Sequence, residues 1–386
     1  MLSSISNSDK LKVQKKWGLS WALALMIVFF VTLFFELFWR GQGHTPSVTD
    51  DVSLWSYHRN KLDCNSPKTV ILIGKSRIQL GFSLQMFKKL YPSYKIIQLA
   101  IANGTSPVAV LNDIAANTTF KGILICSMES KDFLKSRWSL QQNYVDYYYR
   151  NFSVNSELNR HITTFLQKNL VIMHSYLGFK ESIKHMTING GLPKPSHISM
   201  DENRRYYGDF SRRIAYLNNQ NIMHLERKKK KKIKKITKDS FVKKADEFKI
   251  RRSLVPRSTY TSRSQLGIKQ SKKAKLWLEH AMAIVYMGEK IISRGGKVVF
   301  VHYPITGKRW KNREKTFPKD RYWDRLSAIS NIEMIHFKNI LEFQRFSCPD
   351  NSHLDYRDVP LFTQLLLNQL IHRGIIENYK PQMSLL

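Results

Sequence analysis

The stretch VILIGKSRIQLG, at residues 70–81, decides the fold. Four aliphatic residues run without a polar interruption into Gly74, which is the pattern of a strand buried on both faces of a parallel sheet. A loop entering a helix follows at once. Ser76 is therefore expected at the carboxyl edge of the sheet, where α/β folds bind their ligands.

Further apolar runs along the chain predict more strands of the same sheet. They lie at residues 94–100, 122–126, 297–302 and, more weakly, 331–337. Helical patterns lie at residues 107–116, 147–184, 272–293 and 359–373. Strands that alternate with helices in this way predict an α/β fold in three layers, with a central parallel sheet between helices.

The cysteines and the GKS sequence exclude several classes of site. Cys64, Cys126 and Cys348 are far apart and form no CxxC pair, so neither a disulfide framework nor a zinc site is expected. Cys126 is predicted to be buried, and a single bridge between Cys64 and Cys348 is left open. A phosphate-binding loop needs a glycine where this chain has Thr69. We expect no metal and no cofactor.

The N-terminal segment predicts a membrane anchor. Residues 17–35 contain no charge and are long enough to cross a hydrocarbon core. Four lysines precede them, so residues 1–16 are expected in the cytoplasm, 17–39 in the membrane as an uncleaved signal anchor, and everything after Arg40 on the exported side. The alternative, a cleaved signal peptide, requires a small-x-small site that FELFWRGQG does not offer.

The net charge of +34, from 63 Lys or Arg against 29 Asp or Glu, is unevenly distributed. Residues 227–275 hold 20 of the basic and 3 of the acidic residues, which is half of the excess. This Lys-rich segment is either a solvated insertion or a surface for anionic lipid or phosphorylated glycan. Nucleic acid is a disfavoured partner, because the run lacks interleaved aromatic residues and the anchor exports it.

Ser76 has potential catalytic partners near the other end of the chain. A serine nucleophile needs a histidine base, itself oriented by an acid. The sequence CPDNSHLDYRD at residues 348–358 contains Asp350 and His353, three residues apart, so one turn can supply both. The alternative is that Asp350 is a capping residue and His353 a surface histidine.

Three blocks of the sequence resemble a known family. The blocks VILIGKSRIQLG at residues 70–81, IQLAIANGTSP at 97–107 and CPDNSHLDYRD at 348–358 are similar to the SGNH/GDSL hydrolases. Within that family, the resemblance is to membrane-anchored bacterial cell-envelope carbohydrate esterases and O-acyltransferases. It implies an SGNH-type domain at residues 52–375, interrupted by a basic, mostly helical insertion at about 140–270. For a bacterial protein of this branch, it also implies an anchor in the inner membrane and a main domain in the periplasm.

The resemblance also implies roles for individual residues. Ser76 is the expected nucleophile, His353 the base and Asp350 the orienting acid. The backbone amides of Ser76 and Gly104, with Asn103, are expected to form the oxyanion hole. Arg77 and His302 are candidate substrate-binding residues. The alternatives are that Arg77 faces solvent or pairs with an acid, and that His302 belongs to the core or the sheet edge.

Two functions from different classes follow. The first is a serine esterase or O-acyltransferase that acts on acylated envelope glycan or lipid through an acyl-serine, with a possible membrane acyltransferase as partner. The second is a catalytically degenerate SGNH-fold protein that binds envelope glycan or a membrane partner. The second is favoured by the segment that follows the third strand. The segment CSMESKD at residues 126–132 lacks the asparagine with which the family completes its oxyanion hole.

Overall fold

The chain forms two compact units in a computed structural model that describes residues 7–62, 64–102, 106–174, 176–189, 191–210 and 263–379. One unit comprises Met1–Leu54 and Phe152–Tyr206, and the other comprises Trp55–Asn151 and Tyr207–Leu386. The domain boundaries drawn from the sequence stay a prediction.

The second unit contains a five-stranded sheet in which all neighbouring strands are parallel. In spatial order the strands are Lys95–Gln98, Thr69–Ile73, Ile123–Ser127, Lys297–His302 and Glu333–His336. Each coincides with a predicted apolar run. The prediction of an α/β fold with a central parallel sheet is therefore confirmed.

Helices cover both faces of this sheet, because alternate side chains of each buried strand point to opposite faces. On one face Ile71 and Phe300 pack in a core with Trp277 and Ile114. On the other face Leu72 and Val301 pack with Phe87, Phe362 and Leu366. The helices that supply these contacts are Val108–Asn117 and Arg263–Ile292 on the first face, and Leu84–Leu90 and Val359–His372 on the second.

Many of the other elements are short. The helices of four to ten residues are Val52–Asn60, Ser76–Gly81, Gln142–Asn151, Gly307–Thr316, Arg325–Ile329 and Leu341–Gln344. Short 3₁₀ helices lie at Ser130–Phe133, Lys135–Gln141, Val171–Met173 and Phe337–Asn339. A π-helical turn lies at Asp320–Asp324. Two strands of three residues lie at Ile198–Met200 and Tyr206–Gly208.

The helical pattern at residues 147–184 is divided rather than continuous. Separate helices span Gln142–Asn151, Val154–Asn169 and Phe179–Asn189. Ser153 begins the middle one, because its side chain accepts the backbone N–H of Ser156. The Lys-rich segment falls mostly outside the described residues, since residues 211–262 are not among them.

In the first unit, the N-terminal helix spans Asn7–Gly41. Within the described residues, it is the one helix long and apolar enough to cross a membrane, over Trp17–Gly41. Its end is tied down, since Glu36 accepts the backbone N–H groups of Val171 and Ile172 at 3.0 Å each. A signal sequence passes the same test of length and composition, so the transmembrane topology and the inner-membrane location stay predictions.

Gly74 makes the turn that presents Ser76. Its φ of +147° is rarely adopted by other residues. A Cβ atom at this position would lie 2.7 Å from Ile78 Cγ2 and 2.8 Å from Ser127 Cβ. The backbone of the turn therefore passes closer to the neighbouring strand than any side chain allows.

We expect Gly74→Ala to lower the free energy of unfolding by about 1–3 kcal/mol, from backbone strain and overpacking together. Thermal or denaturant unfolding of the full-length protein measures this loss. Gly178→Ala is the control, because nothing lies within 4 Å of the Cβ atom that it would add. Equal stability of the two variants would contradict the role of this turn.

Candidate active site

Ser76 is the first residue of the helix Ser76–Gly81, which follows the strand Thr69–Ile73 after a two-residue turn. Its Oγ lies 2.8 Å from Nε2 of His353. On the other side of the imidazole, Nδ1 lies 2.7 Å from Oδ2 of Asp350. The structure thus brings together the three residues that the sequence predicted to meet, as a continuous hydrogen-bonded chain.

The turn that carries His353 is held by Asp350 itself. Oδ1 of Asp350 accepts the backbone N–H groups of Ser352 at 2.9 Å and His353 at 2.8 Å, which leaves Oδ2 for the imidazole. Asn351 completes the turn with a φ of +63°. Burial opposes ionisation of Asp350, but its hydrogen bonds to His353 and the backbone outweigh it and lower its pKa to about 2.

This carboxylate determines which nitrogen of His353 carries the proton. An ionised Asp350 only accepts hydrogen bonds, so Nδ1 donates to it and Nε2 is free to accept from the Ser76 hydroxyl. Ser76 and His353 both retain partial solvent exposure. The arrangement is that of a general base poised on an accessible hydroxyl.

Phe210 also positions the imidazole. Its ring is stacked on His353, with centroids 5.0 Å apart and planes 8° from parallel. The Phe210 side chain is fully buried, and its backbone N–H donates to Oδ2 of Asp355 at 3.0 Å. The stack restricts rotation of the imidazole out of line with Ser76.

A buried ionic cluster underlies the nucleophile. Lys75 is 3% exposed, and its Nζ lies 3.0 Å from Oε1 of Glu129 and 2.5 Å from Oδ2 of Asp132. Arg77, 5% exposed, donates to the same Glu129 oxygen and, at 3.2 Å, to the Ser352 carbonyl. The residues on both sides of Ser76 are therefore anchored in the cluster.

Both carboxylates of the cluster come from the segment after the third strand. Glu129 follows Ile123–Ser127, and its backbone N–H donates to Oδ2 of Asp132 at 2.9 Å. Burial opposes ionisation of Glu129, but the charges of Lys75 and Arg77, followed by Lys131 and Arg313, hold its pKa well below the usual range. Glu129 is thus an anion surrounded by cations.

The two candidate substrate-binding residues, Arg77 and His302, are both buried rather than exposed at the site. Arg77 is buried and paired with Glu129, which is the alternative in which it pairs with an acid. His302 is 2% exposed, and its ring centroid lies 4.4 Å from that of His336. Burial lowers the pKa of His302 to about 4, so it is a neutral core histidine. A direct substrate contact by either residue finds no support in this geometry.

The other predicted oxyanion-hole residues, Asn103 and Gly104, lie outside the described residues. Cys64, Cys126 and Cys348 are free, and Cys126 is buried as predicted. Over the described ranges, no group of three or more His, Cys, Asp or Glu side chains is arranged to hold a metal ion.

Comparisons with known proteins leave the family open. No protein-family model matches the chain, and no curated protein matches its sequence. Among solved structures, the crystal structure of TesA is similar at a TM-score of 0.33 and 8% identity, over 80% of this chain and 99% of that one. A likeness this weak adds nothing to what the geometry of this chain supports.

Sequence reasoning missed the partners that surround the triad. Glu129 and Asp132 were noted only because they stand where an asparagine is expected, although two acids directly after a buried strand are themselves a signal. Lys75 lies in the turn between the strand and Ser76, where the local sequence does not distinguish a solvated lysine from the buried one that the structure shows. Phe210 offered no signal, because no local pattern links it to His353.

Removing one charge from the cluster should destabilise the protein. Lys75→Met leaves Glu129 and Asp132 without their central cation, and loss of one partner from a buried ion pair costs about 3–5 kcal/mol. Lys131→Met is the matched control, since Lys131 Nζ lies 3.9 Å from Glu129 and its side chain is more exposed. Unfolding of both variants measures the difference, and similar losses would show that Lys75 has no special place in the cluster.

Proposed function

We propose that this protein is a membrane-anchored serine esterase or O-acyltransferase of SGNH type, acting on acylated cell-envelope glycan or lipid. The observation that carries the proposal is the hydrogen-bonded chain from Ser76 Oγ through His353 to Asp350, with distances of 2.8 and 2.7 Å. This is the constellation that activates a hydroxyl for acyl transfer. Its position at the carboxyl edge of a parallel sheet supports the same proposal.

The first half of the reaction would form the acyl-enzyme. His353 Nε2 takes the proton from Ser76 Oγ as that oxygen attacks the ester carbonyl. The carbonyl oxygen becomes an oxyanion, and the backbone N–H of Ser76 is one donor for it. Collapse of the tetrahedral intermediate breaks the ester bond, and His353 returns the proton to the departing alcohol.

The second half would release the acyl group. Water, or a hydroxyl of a sugar, attacks the acyl-Ser76 carbonyl while His353 accepts its proton. Collapse of the second tetrahedral intermediate breaks the bond between the acyl carbon and Ser76 Oγ, which takes the proton back from His353, and the carboxylic acid or the new sugar ester leaves. Throughout, the Asp350 carboxylate stabilises the imidazolium through Nδ1 without itself taking up the proton. Exclusion of water from the acyl-enzyme decides between esterase and transferase.

The ionic cluster would keep this geometry rigid during turnover. Lys75 and Arg77 flank the nucleophile in sequence and are both ion-paired to Glu129. Arg77 also donates to the Ser352 carbonyl, one residue before His353. One side chain therefore links the nucleophile turn to the base turn, which is the kind of support that preorganised catalysis requires.

The anchor helix supports an exported, membrane-held enzyme, with the triad domain in the periplasm. A membrane acyltransferase that supplies acyl groups is the partner proposed for the transferase form. The Lys-rich segment is proposed to face anionic lipid or phosphorylated glycan. The alternative is a catalytically degenerate protein that only binds, and the Ser76→Ala comparison distinguishes it from an enzyme.

Ser76→Ala should lower kcat/KM for an aryl acetate ester by at least about 10³-fold, because the nucleophile of the triad is lost. Hydrolysis by the purified full-length protein in detergent, followed spectrophotometrically, measures this. Ser293→Ala is the control, since that serine is exposed and its hydroxyl donates to the Lys290 carbonyl at 3.1 Å, away from the triad. Unchanged turnover in Ser76→Ala would contradict the triad, whereas no turnover in the wild type would favour the binding-only alternative.

A further inference from the structure

Cations outnumber carboxylates around the candidate active site. Ion pairs join Glu129 and Asp132 to five basic side chains, and Arg309 lies within electrostatic range of the same group and of Asp350. Six cationic side chains thus face three carboxylates. The cations are Lys75, Arg77, Lys131, Arg137, Arg309 and Arg313. Among the described residues, positive charge therefore exceeds negative charge beside the nucleophile, and such an excess favours the binding of an anion.

The helix Gly307–Thr316 contributes two of these cations, Arg309 and Arg313, at the edge of the site. Its start lies against the turn of the base, since the backbone N–H of Thr306 donates to the Asn351 carbonyl at 3.3 Å. A Cβ atom on Gly307 would lie 2.0 Å from Oδ1 of Asn351. Further along the helix, Arg313 Nε lies 2.8 Å from Oε2 of Glu129. The helix therefore spans from the Asp350–His353 turn to the ionic cluster.

Arg309 occupies the same face of this helix as Arg313, four residues earlier. It is exposed, whereas Arg313 is mostly buried and already paired. Within the ranges that the structure describes, Arg309 has no carboxylate at ion-pairing distance. Along the helix, Arg309 lies between Thr306, which contacts the turn of the base, and Arg313, which pairs with Glu129. It is within electrostatic range of Glu129 and Asp350.

We propose that Arg309 binds a carboxylate or phosphate group that the ester substrate carries near its scissile bond. The planar guanidinium offers two parallel N–H donors to either anion, and the surrounding positive charge strengthens the contact. This inference rests on the proposed function, because it names the chemical class of the ester that Ser76 would attack. It predicts a preference for anionic glycan or lipid esters over neutral ones.

Matched acetyl esters test the proposal. The probes are methyl 4-acetoxybenzoate, which is neutral, 4-acetoxybenzoate and 4-acetoxyphenyl phosphate. We expect the wild type to favour at least one anionic ester in kcat/KM, and Arg309→Gln to reduce that preference by about tenfold, the size of one charge-assisted hydrogen bond. High salt should reduce the wild-type preference. The two anionic probes distinguish a carboxylate site from a phosphate site.

Lys311→Gln is the matched control, because it removes one exposed positive charge from the opposite face of the same helix. The anionic preference should survive in it. The inference is wrong if Arg309→Gln leaves the anionic preference unchanged, or if Lys311→Gln reduces that preference as much as Arg309→Gln does. In either case, Ser76-dependent hydrolysis of the neutral ester would still support the proposed function.

A binding measurement keeps the inference testable without turnover. In the Ser76→Ala background, benzoate and phenyl phosphate are titrated by NMR into the protein with and without Arg309→Gln. We expect about tenfold weaker binding of the preferred anion once Arg309 is removed. Equal affinity in the two variants would overturn the inference whatever the kinetic result. If the wild type shows no turnover but anion binding still depends on Arg309, only the proposed function is contradicted.

Discussion

The ion pairs of Lys75 with Glu129 and Asp132 are the interaction on which the candidate site depends. Two carboxylates buried after the third strand are tolerated only because cations surround them, and the cation that pairs with both of them is the residue directly before Ser76. Arg77, directly after Ser76, shares Glu129 and also holds the turn of His353. The nucleophile is therefore fixed from both sides, and the base is joined to it, by one buried network.

Much of the fold follows from local sequence. Apolar runs of four to six residues are long enough to identify buried strands, and Gly74 marks the turn that only glycine can make. Asp350 and His353 could be placed together because three residues separate them. The pairing of their turn with Ser76 is a contact across 277 residues, and it follows only once the order of parallel strands brings both loops to one edge of the sheet.

Other parts of the site could not be predicted, for physical reasons. Whether Lys75 is solvated or buried depends on acids more than 50 residues away, which no local pattern reveals. Arg77 and His302 were placed by their proximity to the expected site, but burial turned one into a structural ion pair and the other into a neutral core residue. Total charge was also a poor guide, because the excess that bears on chemistry is the local one around Glu129 rather than the larger one in the Lys-rich segment.

The central claim is that Ser76 is an activated nucleophile. It is tested most directly by treating the full-length protein with a fluorophosphonate, which reacts with serines that a base has activated, and locating the adduct by mass spectrometry of peptides. A single adduct on the peptide that contains Ser76, absent from His353→Ala, is the predicted result. An unlabelled protein, or an adduct on another serine, would contradict it.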